Sequence, residues 1–165
     1  MSGYSKKTAQ AFRPPGPNEP LFELPTVIKM LPLVRKIADD LLAGRKQLAE
    51  LRSIQSRLER HRKDLSWPER RHRYQVQDSL VEADKRLRSL TTELESLGIA
   101  IVDRATAQLG FPTIVNNRLA FFSWIPGEET VTFWHYDGEE SRRRPIPEAW
   151  YQPLPLAKPA VPRKG

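Results

Sequence analysis

Apolar residues recur at heptad spacing through the first half of the chain: Val27, Met30, Val34, Ile37, Leu41, Leu48, Leu51 and Leu58. Residues so spaced share one helix face, so the pattern predicts a long amphipathic helix beginning near Pro25, a residue suited to a first turn. Gly44 and Gln55 interrupt the seam, and Pro32 lies inside it. That proline removes an amide donor and is expected to kink or divide the helix near its start. The pattern fades after Leu65. Ser66-Trp67-Pro68-Glu69 then signals a restart, with Ser66 as cap, Pro68 in the first turn and Glu69 reaching back to complete a capping box. A second seam runs through Val76, Leu80, Ala83, Leu87, Leu90, Leu94 and Leu97, and Gly98 is placed to cap its end. Two helices of roughly 30 to 40 residues joined by a tight break predict an antiparallel coiled-coil hairpin about 45 Å long.

Beyond Gly98 the period changes. Ile99-Ala100-Ile101-Val102 is a short β-prone run that suits an edge strand. Strands are expected near 111–115, 118–124 and 130–136, with turns at Asn116-Asn117 and Pro126-Gly127. A two-residue turn at Pro126-Gly127 puts Ala120, Phe122, Trp124, Val131, Phe133 and His135 on one face. Leu119, Phe121, Ser123, Thr132, Trp134 and Tyr136 fall on the other. Ser123 and His135 are then expected on opposite faces. Both faces are rich in apolar groups. One is expected to pack on the hairpin base; the other needs cover from the C-terminal segment, a second copy of the chain or a ligand.

The expected fold class is α+β, a long antiparallel two-helix hairpin followed by a small antiparallel sheet. Residues 1–20, polar and proline-rich, are expected to be disordered. The hairpin is assigned to 21–98, the β module to 99–147, and a basic, proline-rich tail to 148–165, its first part anchored by Trp150 and Tyr151.

Composition narrows the chemistry. Absence of cysteine excludes disulfides, thiol nucleophiles and thiolate metal sites, and three histidines make a His-rich metal centre hard to build. No glycine-rich phosphate loop is present, and neither a metal nor another cofactor is expected. No apolar run approaches the ~20 residues of a membrane span, and the N-terminus lacks a signal-type apolar stretch, so no membrane association and a cytoplasmic location are expected.

The net charge of +7 is unevenly spread. Residues 57–73 carry Arg57, Arg60, Arg62, Lys63, Arg70, Arg71 and Arg73 against three acids, Glu59, Asp64 and Glu69. The two ends of the chain are also basic, and the remainder is mildly acidic. The seven cations fall at the hairpin tip, where they suit either a polyanion such as nucleic acid or plain solvation.

Order and motif carry a resemblance. A Phe-initiated helix with Met30-Leu31-Pro32-Leu33-Val34 is followed by a helical hairpin, Phe111-Pro112, Ser123-Trp124, Gly127-Glu128, Trp134-His135, and Arg143 before Pro145-Ile146. Over about Phe22 to Ile146 this resembles the bacterial domain-of-unknown-function family 2203. Where that family commonly has an acidic residue before Phe-Pro and a cysteine before the first Trp, this chain has Gly110 and Ser123. The resemblance implies the architecture and no activity. It marks Trp124, Gly127, Glu128, Trp134, His135 and Arg143 as the candidate site. An enzyme would use Glu128 and His135 as acid and base and Arg143 on an oxyanion, with Ser123 as a further candidate. The structural alternative has Glu128 pairing with Arg143 to pin the start of the tail. Three functional readings follow. The first is a non-catalytic protein-interaction or scaffolding module with a protein partner or a second copy. The others are a nucleic-acid- or ribosome-associated protein using the basic tip, and a small enzyme.

Overall fold

The computed structural model describes residues 20–152. The expectations for residues 1–19 and for the tail beyond Gln152 lie outside the described residues. Helix α1 spans Leu24–Arg60 and α2 spans Trp67–Ser96. A five-stranded antiparallel sheet follows: β1 (Ala100–Asp103), β2 (Gln108–Val115), β3 (Arg118–Trp124), β4 (Phe133–Tyr136) and β5 (Arg144–Pro145), in that spatial order. A 3-10 turn, Glu148–Tyr151, ends the described chain. The α+β hairpin-and-sheet arrangement matches the sequence reading.

The local signals account for the element ends. Ser66 Oγ accepts from the Glu69 amide, and a Glu69 carboxylate oxygen accepts from the Ser66 amide at 2.7 Å, completing the capping box. At the far end of α2, Gly98 has φ +82°, its amide donates to Glu95, and the Ile99 amide donates to Leu94 at 3.0 Å. Those two bonds form a Schellman cap. Pro32 does not divide α1, which is helical through it. The interruption at Gly44 is a close approach: a Cβ there would lie 2.9 Å from Leu87 Cδ2.

Heptad positions supply the packing. Leu24, Val27, Leu31, Val34, Ile37, Ala38 and Leu41 of α1, with Leu94 of α2, join the buried sheet residues in the main core. Burying a large apolar side chain of this kind contributes about 1.5–3 kcal/mol. A second, smaller cluster toward the hairpin tip has Leu58, Leu65 and Val76 as its buried residues, with Leu51, Ile54 and Leu80 packed against them.

The sheet register corrects one expectation. Asn116 and Asn117 have φ +51° and +59°, the left-handed pair a tight hairpin requires. Pro126-Gly127 does form a turn, with the Glu128 amide donating to Ile125 at 3.0 Å, yet it does not close a two-residue hairpin. Residues 125–132 lie between the strands, and Phe122 pairs with Trp134 and Ser123 with Phe133. Cross-strand partners share a face. Leu109, Phe111, Ala120, Phe122, Trp124, Trp134 and Tyr136 therefore face the helical hairpin, whereas Leu119, Phe121, Ser123, Phe133 and His135 share the other face. Ser123 and His135 lie on the same face, contrary to the expectation from a short turn.

Candidate functional site

Ser123, near the C-terminal end of β3, is fully buried. Its Oγ accepts from Gln108 Nε2 at 3.1 Å and from Arg143 Nε at 2.9 Å. Arg143 enters from the segment just before β5, and its guanidinium lies over the Phe133 ring, 4.5 Å from the centroid. Both terminal nitrogens engage Glu128, at 2.6 and 2.8 Å, and one also donates to the Ser123 carbonyl at 3.3 Å. This two-pronged pairing fits the planar fork of arginine. Glu128 is fixed from its own side as well. Its carboxylate accepts from the Ile125 amide at 3.0 Å, and its carbonyl accepts from Trp124 Nε1 at 3.1 Å. Gly127, with φ +104°, turns the chain so that Glu128 can reach back.

The six candidate residues thus take three kinds of place. Trp124, Gly127, Glu128 and Arg143 form one hydrogen-bonded knot with Ser123 and Gln108 that ties residues 125–143 to the sheet. Trp134 belongs to the core on the opposite face, with ring centroids 4.9 Å from Tyr136 and 5.4 Å from Trp150. His135 shares the knot's face of the sheet but not its bonds. It is fully buried and stacked on Phe121 at 5.6 Å. Its Nδ1 lies 2.9 Å from the Tyr136 carbonyl, which only accepts, so Nδ1 carries the proton. Nε2 is buried with no hydrogen-bond partner among the described residues.

For acid–base chemistry the arrangement offers little. Four N–H donors of Arg143 are directed at protein oxygens, and both carboxylate oxygens of Glu128 are occupied. No hydrogen bond joins Ser123 to His135. What the constellation does is hold the long β3–β4 connection and the approach to β5 in one geometry. The 3-10 turn adds to that hold: Tyr151 donates its hydroxyl to the Val131 carbonyl at 3.0 Å, and burial pushes its phenol pKa up.

A conserved-family model described as "Uncharacterized conserved protein (DUF2203)" matches residues 20–146. The chain belongs to this family. Comparison with curated proteins and comparison with solved structures each find no match. Gly110 and Ser123 are direct cross-strand partners on the face of the knot. A Cβ at Gly110 would sit 3.0 Å from both Phe121 and Val102 side chains, so that space is already filled.

The seven tip cations also divide. Arg73 donates to Glu59 at 2.6 Å, linking α2 to α1, and Arg60 bonds the Ser56 carbonyl at 3.4 Å. The side chains of Arg57, Arg62, Lys63, Arg70 and Arg71 are exposed and make no hydrogen bond or ion pair with a described residue. Among the described residues, no group of three or more His, Asp or Glu side chains is arranged to hold a metal, and no helix is long and apolar enough to cross a membrane.

Sequence reasoning missed Gln108 and the role of Ser123. The available signal was a lone amide beside Leu109, in a strand whose other residues are apolar apart from Thr113. It also did not single out the outer stripe of α2. Trp67, Tyr74 and Val81 are 71%, 63% and 63% exposed, at intervals of seven residues.

Proposed function

We propose that the chain is a non-catalytic interaction module, working in a bacterial cytoplasm, whose docking face is the outer stripe of α2 and whose partner is α2 of a second copy lying antiparallel. The exposed Trp67-Tyr74-Val81 stripe carries this reading. A seven-residue repeat drifts only about 20° per heptad on a straight helix, so the three side chains form one seam. Their charged neighbours support the second copy. With Tyr74 at a two-fold axis, an antiparallel α2 sets Trp67 opposite Val81 and Arg70 and Arg71 opposite Asp78 and Gln77. The symmetry repeats each contact, large side chain against small and cation beside carboxylate. The saturated Glu128–Arg143 pair supports the non-catalytic part of the reading.

Sedimentation of charge variants tests it. Arg70→Asp and Asp78→Arg each shift the dimer toward monomer, and the double variant restores the dimer because the pair is re-formed with its signs exchanged. A wild type that stays monomeric at about 100 µM, or a double variant no better than the singles, removes the second copy.

A second reading rests on the five exposed, unengaged tip cations. An arm of this kind binds phosphate backbones without sequence preference. Its affinity for a structured RNA falls steeply with salt and is lost on charge reversal at Arg60, Arg62, Arg70 and Arg71. Binding that survives the reversal rejects it.

A further inference from the structure

The two sides of the helical hairpin differ in charge. One shallow groove is lined by Gln47, Asp78, Glu82 and Arg86 among others and is net acidic. On another side lies a larger cleft of about 740 Å³, lined by Arg45 and Arg52 of α1, Arg88 and Asp84 of α2, and Arg104 from the β1–β2 turn. Four guanidiniums against one carboxylate leave the cleft at +3. That carboxylate is taken, because Asp84 pairs with Arg88 at 2.8 Å. Arg45, Arg52 and Arg104 have no hydrogen bond or ion pair with any described residue. Three like charges lining one concavity repel, and no described residue pairs with them.

The cleft continues into a recess of about 90 Å³ whose walls include Leu41, Leu87, Ile101 and Ala107. Arg45, Arg104 and Thr91 border both parts. The combined shape is a cationic mouth with an apolar end. Its main part falls within the roughly 300–1,000 Å³ of ordinary small-molecule sites. Unpaired guanidiniums from separate elements suit the several oxygens of a phosphate, each able to accept two-pronged contacts. The recess suits a short alkyl chain or the edge of a ring.

We propose that this cleft binds a small organic phosphate. The phosphate is held by Arg45, Arg52 and Arg104 at the mouth, and the apolar part of the molecule enters the Leu41–Leu87–Ile101–Ala107 recess. A phosphodiester polymer is the less suitable occupant, because the recess is small and set at one end, whereas a polymer makes use of cations spread along an open surface. This site is independent of the α2 stripe and of the hairpin tip.

Calorimetric titration of the full chain at low ionic strength tests the proposal, with inorganic phosphate, phenyl phosphate and a structured RNA as probes. Phenyl phosphate is expected to bind about tenfold or more tightly than inorganic phosphate, since only it fills the recess. Arg45→Gln with Arg104→Gln is expected to weaken phenyl phosphate by about tenfold or more, while Arg62→Gln with Arg71→Gln leaves it unchanged. All four sites are exposed, and circular dichroism confirms that the variants fold. Equal affinity for the two phosphates, no binding of either, or indifference to the cleft substitutions overturns the proposal. RNA binding lost in the cleft variant without phenyl phosphate binding also overturns it and assigns the cleft to a nucleic-acid surface.

Discussion

The two ends of the molecule are each organised by a serine and a glutamate, with opposite results. At the hairpin tip, Ser66 and Glu69 exchange hydrogen bonds three residues apart, in full contact with solvent. At the sheet end, Ser123 and Glu128 are joined through Arg143, drawn from twenty residues further along, with side-chain exposures of 19% for the arginine and 23% for the glutamate. The tip pair directs only the start of one helix. Around it lie a small core with three buried residues and five cations that no described residue engages. The sheet-end knot is packed beside the main core and leaves few polar atoms unmatched. The difference teaches where to look for function. Groups already satisfied by their neighbours hold shape, and groups left unsatisfied on a surface are available to a partner.

The comparison is most exposed at Arg143. Replacing it with alanine leaves a half-buried carboxylate and the Ser123 hydroxyl without their shared donor. The expected loss is about 2–3 kcal/mol in urea unfolding, toward the lower part of the range for broken buried pairs because the Glu128 carboxylate keeps some solvent contact. Arg143→Lys is expected to recover little, since an ammonium cannot span both Glu128 oxygens and Ser123 at once. A loss below about 0.5 kcal/mol, typical of an ordinary surface change, would break the comparison and return Glu128 and Arg143 to the list of groups free for chemistry.

What could be read beforehand follows the same division. The capping box, the Asn116-Asn117 turn and the Gly98 cap were legible because each depends on residues within a few positions of one another. The partnership of Glu128 with Arg143 was legible as an alternative, as two opposite charges flanking a strand. The register across 125–132 was not. Pro126-Gly127 is a genuine turn signal, but the bonds from Ile125 and Trp124 to Glu128 fold that turn onto itself, and Val131 is buried beyond it before the ladder resumes at Phe133. A change of one residue in register reverses every face assignment. That is why Ser123 and His135 were expected apart. The cleft arginines were hidden for a different reason. Arg45, Arg52, Arg88 and Arg104 are scattered in a mildly acidic stretch, and only the packing of α1 on α2 and the β1–β2 turn brings them together.

The smallest effect is expected at the tip, and pH gives it a signature. Hydrogen bonds from the backbone and then the side chain of Ser66 hold the Glu69 carboxyl below its ordinary pKa, with a further contribution from His61. A depressed carboxylate pKa means that the folded tip favours the ionised form. The associated stability is therefore present above the unfolded-state pKa and is lost as pH falls through the folded value. Amide exchange in the first turn of α2 should accelerate on acidification through that window, while exchange in β3 stays slow. Ser66→Ala should cost about 1 kcal/mol near neutral pH and shrink the acid-dependent step without abolishing it, because the side-chain bond is gone while the backbone amide at position 66, the larger cause, still donates to Glu69. An acid step of the same size in the variant would place its origin elsewhere. If β3 exchange rose together with that of α2, the two ends would be one cooperative unit, and the separation between a locally held tip and a tightly held sheet would not survive.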